Sequence, residues 1–262
     1  MTDFDGTLAA IVDDPAEARP FDGAPAVLRR LAASFATVAV VSGRPASFLW
    51  DRLGSVTVDQ QDAPLMDGAP RSDASLHLVG LYGMESVGLD GAVTLVEGGA
   101  VWTAVIEESA RRLRDDAPEG VLVEVKGAAV TVHWRRAPEG ESWAADRVAR
   151  EASGSGLEVH PGRMSLELRP PLGVDKGTVV RRLAAGCTAV CFLGDDLGDL
   201  PAFVELGRLR AEDGLAAVGV AVIDDETAPE VADAADLHVR GPRGALEVLE
   251  WLAASTQSTP PA

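Results

Sequence analysis

Apolar residues fall into two patterns along the chain. The runs TVAVV at 37–41 and TAVCFL at 188–193 are short and continuous, and each ends in a polar, glycine-bearing turn, SGRP and GDDLGD. Runs of that length predict strands buried on both faces of a parallel sheet. Each is preceded by apolar residues at helical spacing, APAVLRRLAASF before the first and KGTVVRRLAAG before the second. Two more strand-like segments, AAVGVAV and DLHV, and a final helix over about 243–254 continue the alternation. This order predicts an α/β fold with a Rossmann-like, doubly wound parallel sheet.

The second pattern covers the middle of the chain. After an amphipathic helix, VWTAVIEESARRLRDD, the stretch VLVEVKGAAVTVHWRR alternates with period two around Gly127 and Ala128. Val121, Val123, Val125, Val130, Val132 and Trp134 fall on one face; Glu124, Lys126, Thr131, His133 and Arg135 fall on the other. Such a stretch predicts a hairpin with one packed and one polar face. A second helix, ESWAADRVAREAS, and a second strand pair, LEVH and RMSLEL, complete an αββαββ unit. The organisation expected is a core domain over 1–97 and 171–262, split by an inserted α/β cap domain over 98–170. Pro170, Pro171 and Gly173 suggest a stiff linker with a hinge, and the tail STQSTPPA is expected to be disordered.

Charge narrows the partners. Against 23 basic residues stand 41 acidic ones, for a formal charge of −18 over 262 residues. That surface repels nucleic acid and anionic lipid, so an anionic substrate would require a cation in its site. The two cysteines, Cys187 and Cys191, lie in an apolar stretch without nearby histidines and read as core thiols in a reducing compartment. No run approaches the about 18 apolar residues of a membrane span, and the N-terminus has no signal-peptide pattern, so a soluble, cytoplasmic protein is expected. Oligomeric state is not legible; a monomer is compatible with the sequence.

Four elements carry chemistry: DFDGT at 3–7, SGR at 42–44, DKG at 175–177 and GDDLGD at 194–199. Taken singly, each has an ordinary structural reading. DFDGT can be a turn, Asp196 and Asp199 a capping pair, and SGRP a helix start with Pro45 at the first position. In an open α/β sheet, however, loops at the carboxyl ends of strands meet in one crevice. Asp3, Asp195, Asp196 and Asp199 would then concentrate more negative charge than a buried crevice tolerates, and a hard divalent cation such as Mg²⁺ would compensate it. Lys176 adds positive charge at a helix N-terminus, where the macrodipole disfavours it, and that local conflict makes it a candidate for function.

In this order the four elements resemble the motifs of the haloacid dehalogenase superfamily of phosphatases. The strings DFDGTLAAIVDDPAEARP, VVSGRP, GLYGMES, VEVKGAAVTVHWR, GRMSLELRPPLGVDKG and FLGDDLGDLPAF together resemble trehalose-6-phosphate phosphatases. The resemblance implies that Asp3 attacks phosphorus to give an aspartyl-phosphate, and that Asp5 is the general acid and then the base, with its pKa raised by neighbouring carboxylates. It implies Mg²⁺ held by the Asp3 carboxylate, the Asp5 carbonyl and Asp195, with Asp196 or Asp199 in support. Ser42, the Gly43 N–H and Lys176 would hold the phosphoryl group, and the cap residues Glu124, Lys126, His133, Arg163 and Glu167 would bind the sugar. Two positions depart from the pattern: Gly198 stands where a small hydroxyl residue is commoner, and Trp134 replaces a usual tyrosine. The alternatives are a phosphatase for sucrose 6-phosphate or a glycosyl-phosphoglycerate, or a non-catalytic sugar-phosphate-sensing domain.

One expectation concerns the strand that should precede DFDGT, since only Met1 and Thr2 do so. Loss of a buried central strand would remove on the order of 10 kcal/mol and leave the Asp3 loop without an anchor. Met1 is therefore expected to be an internal or misassigned start of a longer protein.

Overall fold

The computed structural model describes residues 1–12, 14–54, 76–88, 90–162, 164–225 and 227–255. Two compact units emerge: Met1–Thr94 with Val174–Ala262, and Leu95–Gly173. In chain order the first unit begins with α1 (Ala24–Ser34), β1 (Val38–Val41), α2 (Ala46–Leu53), β2 (Leu76–Gly80), β3 (Glu85–Val87) and β4 (Val93–Leu95), the last at the boundary. The second unit holds α3 (Thr103–Asp116), β5 (Leu122–Lys126), β6 (Ala129–His133), α4 (Glu141–Ser155), β7 (Glu158–Gly162) and β8 (Ser165–Arg169). The first unit resumes with α5 (Lys176–Leu183), β9 (Ala189–Gly194), α6 (Leu200–Asp213), β10 (Ala216–Ile223), α7 (Pro229–Ala234), β11 (Leu237–Arg240) and α8 (Gly241–Ser255).

Parallel pairing joins β1 to β2, and β10 to β9 on one side and β11 on the other, while β3 returns antiparallel beside β2. Alternation along the strands sends side chains to opposite faces. Val38, Val40, Leu193, Val220 and Val222 pack with α1, α2 and α8 residues such as Leu28, Leu49 and Leu249. Ala39, Val41, Phe192, Ala217 and Ala221 pack with α5, α6 and α7 residues such as Val180, Phe203 and Val231. Both layers are therefore covered, which explains the continuous apolar runs. The short strands β3 and β4 escape the sequence pattern because three residues carry no readable period. Pro45 precedes α2 as its N-cap rather than occupying its first position.

The slot between β1 and β9 is filled by residues 1–3. Thr2 bridges in parallel to Val40 on one side and Leu193 on the other. Thr2 N donates to the Ala39 carbonyl (2.9 Å), Val41 N to the Thr2 carbonyl (2.9 Å), Asp3 N to the Leu193 carbonyl (2.8 Å) and Leu193 N to the Met1 carbonyl (3.2 Å). The expectation that the Asp3 loop lacks an anchor is thus corrected: a few residues at the carboxyl end of the slot suffice to fix it to both neighbours. Immediately after, Phe4 is fully buried and meets Phe48 edge-to-face at 5.7 Å.

In the second unit the strand order is β5-β6-β8-β7, all antiparallel. Lys126 pairs with Ala129 across the two-residue turn at Gly127 and Ala128. Val123, Val130, Val132 and Trp134 are buried against Ile106, Leu113, Ala144 and Val148 of α3 and α4. Val125 remains exposed although it shares their face. A buried Glu151 ties the two helices, accepting from Ser109 Oγ (2.8 Å) and facing Arg112 and Arg147. The predicted disordered tail lies almost wholly outside the described residues.

Phe4→Ala removes an aromatic ring from the core beneath the Asp3 loop and is expected to lower unfolding free energy by about 3–5 kcal/mol in a urea titration. A change below about 1 kcal/mol would show that this ring is not what secures the segment.

Candidate active site

Four sequence-predicted residues converge at the carboxyl ends of the slot segment and β9. The Lys176 ammonium is almost fully buried, 2.9 Å from Asp3 Oδ1 and 2.6 Å from Asp199 Oδ1. One carboxylate oxygen each from Asp3, Asp195 and Asp199 lie within 4.8 Å of one another. Burial raises the Asp3 pKa well above the carboxylate range, with Asp199 and Asp196 adding to the rise against the pull of Lys176. Asp195 is raised likewise, first by burial and then by Asp3 and Asp199. Asp199 is pushed up to about 6 by burial, despite Lys176. Burial opposes the charge on Lys176, but Asp199, Asp3 and Asp196 outweigh it and hold the ammonium well above its ordinary pKa.

Local sequence explains how each group is held. Asp175 caps α5, accepting from Thr178 N (2.8 Å), while its own N–H donates to Thr178 Oγ1 (3.0 Å). This capping box fixes the helix start despite the lysine that follows. Asp199 Oδ2 accepts from the N–H groups of Asp195 (2.9 Å) and Asp196 (3.1 Å), turning the loop back on itself. Thr7 Oγ1 donates to Asp195 Oδ1 (2.9 Å). Gly6 has φ +71°, and a Cβ there would stand 1.9 Å from Asp195 Oδ2, so glycine alone permits the approach.

The remaining predicted residues are placed differently. Asp196 stands outside the carboxylate cluster, its Oδ1 accepting from Gly198 N (2.9 Å) as a cap. The Asp5 side chain turns not toward the carboxylates but onto Arg44, whose Nε and Nη2 donate to its two oxygens at 2.6 and 2.7 Å. Its neighbour is thus a cation, contrary to the carboxylate surroundings anticipated for it. Ser42 is buried in the loop after β1, with its Oγ accepting from Arg44 N (3.2 Å), and Gly43 lies against the Tyr82 ring. On the second unit, Glu124 faces His133 (3.0 Å) and Lys126 (3.6 Å). Buried Glu167 accepts from Thr131 Oγ1 (2.9 Å) and pairs with Arg169. Arg163 lies outside the described residues.

Sequence reasoning passed over Thr7, Arg44, Tyr82 and Glu85, although each sits in a quoted motif. Arg44 also donates to the Pro15 carbonyl (2.7 Å) and lies over the Phe48 ring. Buried Glu85 accepts from Ala46 N (2.8 Å) at the start of α2. A charged residue inside an otherwise apolar turn was the available signal.

Comparison with known proteins decides the lineage. A match to the family described as trehalose-phosphatase spans residues 1–57 and 75–237. The chain belongs to the trehalose-phosphatase family. It is 38% identical over 213 residues to a trehalose-phosphate phosphatase of Mycolicibacterium paratuberculosis, a match covering 77% of this chain and 49% of that protein. The chain thus spans about half the length of that relative. Its fold is similar to a trehalose-6-phosphate phosphatase related protein (TM-score 0.75, 23% identity, 98% of both chains). It is also similar to the C-terminal domain of Candida albicans trehalose-6-phosphate phosphatase (TM-score 0.71, 24% identity, 97% of this chain and 90% of that one). These likenesses agree with the α/β core and inserted unit described above.

Lys176→Met leaves the buried carboxylates without their cation and is expected to cost about 3–5 kcal/mol in denaturant unfolding. Unchanged stability would show that the carboxylates share protons so completely that they need no counter-charge.

Proposed function

We propose that this chain is a Mg²⁺-dependent phosphatase that hydrolyses trehalose 6-phosphate to trehalose and phosphate through an aspartyl-phosphate. The observation that carries this reading is the environment of Asp3. Its Oδ1 is buried with the Lys176 ammonium at ion-pair distance, and carboxylate oxygens of Asp195 and Asp199 crowd the same place, so one cation faces three acids. An oxygen of that kind fits a hard cation, which takes carboxylate ligands and retains waters. Asp3, Asp195 and the Asp5 backbone carbonyl would hold Mg²⁺, with Asp199 braced between Lys176 and its own loop. When bound, the ion neutralises charge that builds on the phosphoryl oxygens.

In this reading the Asp3 carboxylate attacks phosphorus as the bond to the sugar oxygen breaks, dividing one difficult hydrolysis into two displacements. Asp5 gives a proton to the leaving oxygen and then takes one from the water that cleaves the aspartyl-phosphate. Both Asp5 oxygens are engaged by Arg44, so this pair must open for the proton to move. The Ser42 hydroxyl, the Gly43 N–H and the Lys176 ammonium hold the phosphoryl oxygens and stabilise the charge of the transition state. Sugar hydroxyls would be bound by Glu124, Lys126, His133, Arg163 and Glu167. We place the reaction in the cytoplasm, where Cys187 and Cys191 would persist as the free thiols they are here.

Asp3→Asn is expected to reduce hydrolysis of trehalose 6-phosphate in Mg²⁺ to background, and Asp5→Asn to reduce it by about 10²–10⁴-fold. Phosphate release by Asp3→Asn at the wild-type rate would remove the nucleophile assignment. Across a panel including sucrose 6-phosphate and glucose 6-phosphate, turnover should favour the trehalose ester and vanish in excess chelator. Equal turnover of all esters would remove the substrate assignment, and chelator-resistant turnover would remove the metal.

A further inference from the structure

The segment GLYG carries two successive non-glycine residues in the left-handed region, Leu81 (φ 47°) and Tyr82 (φ 60°). Such a conformation is costly for large side chains and persists where surrounding structure enforces it. Here two backbone bonds do so: Leu81 N donates to the Arg44 carbonyl (2.9 Å) and Tyr82 N to the Ser42 carbonyl (2.9 Å). The strained turn is thereby fastened to the loop that holds Ser42 and Gly43.

What the strain achieves is the placement of one ring. A Cβ at Gly43 would stand 2.6 Å from both Cζ and the phenol oxygen of Tyr82, and its three nearest atoms would all be Tyr82 atoms. A Cβ at Gly198 would stand 3.0 Å from Tyr82 Cε1 and equally close to Asp196 Oδ1. The Lys176 ammonium lies 5.8 Å from the ring centroid, within cation–π range. One aromatic plate therefore touches the loop after β1 and the turn after β9, and faces the ammonium at the start of α5. A side chain at 43 would collide with the ring and one at 198 would crowd it, so the glycines and the tyrosine are one packing solution.

We infer that Tyr82 is a positioning residue for phosphoryl transfer, holding the Gly43 N–H and the Lys176 ammonium at a common spacing. The inference rests on the phosphatase reading above, because the spacing matters only if those two groups grip a phosphoryl group. The ring faces the ammonium, and together with its phenol oxygen it forms the wedge against Gly43. A misplacement of about 1 Å in such groups can cost 10²-fold in rate.

The test uses the full chain in Mg²⁺ with p-nitrophenyl phosphate as substrate and inorganic phosphate as competing ligand. Tyr82→Gly removes the ring and the left-handed strain together. It should melt with the wild type, yet lose about 10–10²-fold in kcat/KM and weaken inorganic phosphate in parallel. Tyr82→Phe should retain activity within about threefold. Gly43→Ala should be impaired by collision with the ring, and Tyr82→Gly in the same chain should recover part of that loss, so the double variant exceeds the product of the single effects. Parallel loss of stability and activity would mean that the ring is merely structural, and independent effects of the two substitutions would mean that it does not set the Gly43 position. Either result overturns the inference while the wild type remains active. A wild type that neither turns over the ester nor binds phosphate would overturn the phosphatase reading, and this inference with it.

Discussion

The Lys176 ammonium is buried where water cannot solvate it, and it is stable there because Asp3 and Asp199 supply the opposite charge. That exchange fixes much of the first unit. Lys176 belongs to α5, Asp199 to the turn after β9, and Asp3 to the segment between β1 and β9, so one point charge ties three elements that are far apart in sequence. The pairing is unbalanced, however. Asp195 brings a third carboxylate to the same place, and the pKa values of all three acids are raised, first by burial and then by neighbouring carboxylates. A group in that condition is poorly suited to stability alone; an additional cation would complete it.

Much of this was legible in the sequence, for definite reasons. Strands buried on both faces have to be apolar throughout, so TVAVV and TAVCFL announced the central sheet. The hairpin through Val130 and Val132 was legible because its two faces meet different environments. The convergence of Asp3, Lys176, Asp195 and Asp199 followed from the rule that loops gather at one edge of such a sheet. The second unit's paired helices were likewise readable from their spacing.

What escaped was set by pairwise geometry. Asp196 and Asp199 are nearly adjacent and chemically identical, and both cap the turn, yet only Asp199 also faces the lysine. The orientation of Asp5 depends on Arg44, whose own direction depends on Phe48 and the Pro15 carbonyl. Tyr82 carries no mark of function in its neighbours' hydropathy; only the left-handed backbone that holds it shows that the ring has a particular place. Each of these is a choice among side chains of equal propensity, made by contacts across the fold.

The seam filled by residues 1–3 has a further implication for how accurately the reacting groups are aligned. The loop bearing Ser42 continues from one flank of that seam and the loop bearing Asp195 from the other, while Asp3 ends the seam itself. All three are therefore measured from the same few peptide groups. A slip of one residue in that pairing would invert the direction of the Asp3 side chain and carry the carboxylate to the opposite face of the sheet. The alignment behaves as a stepwise quantity, either in register or lost, and gradual loosening elsewhere in the molecule would leave it untouched until the seam itself gave way.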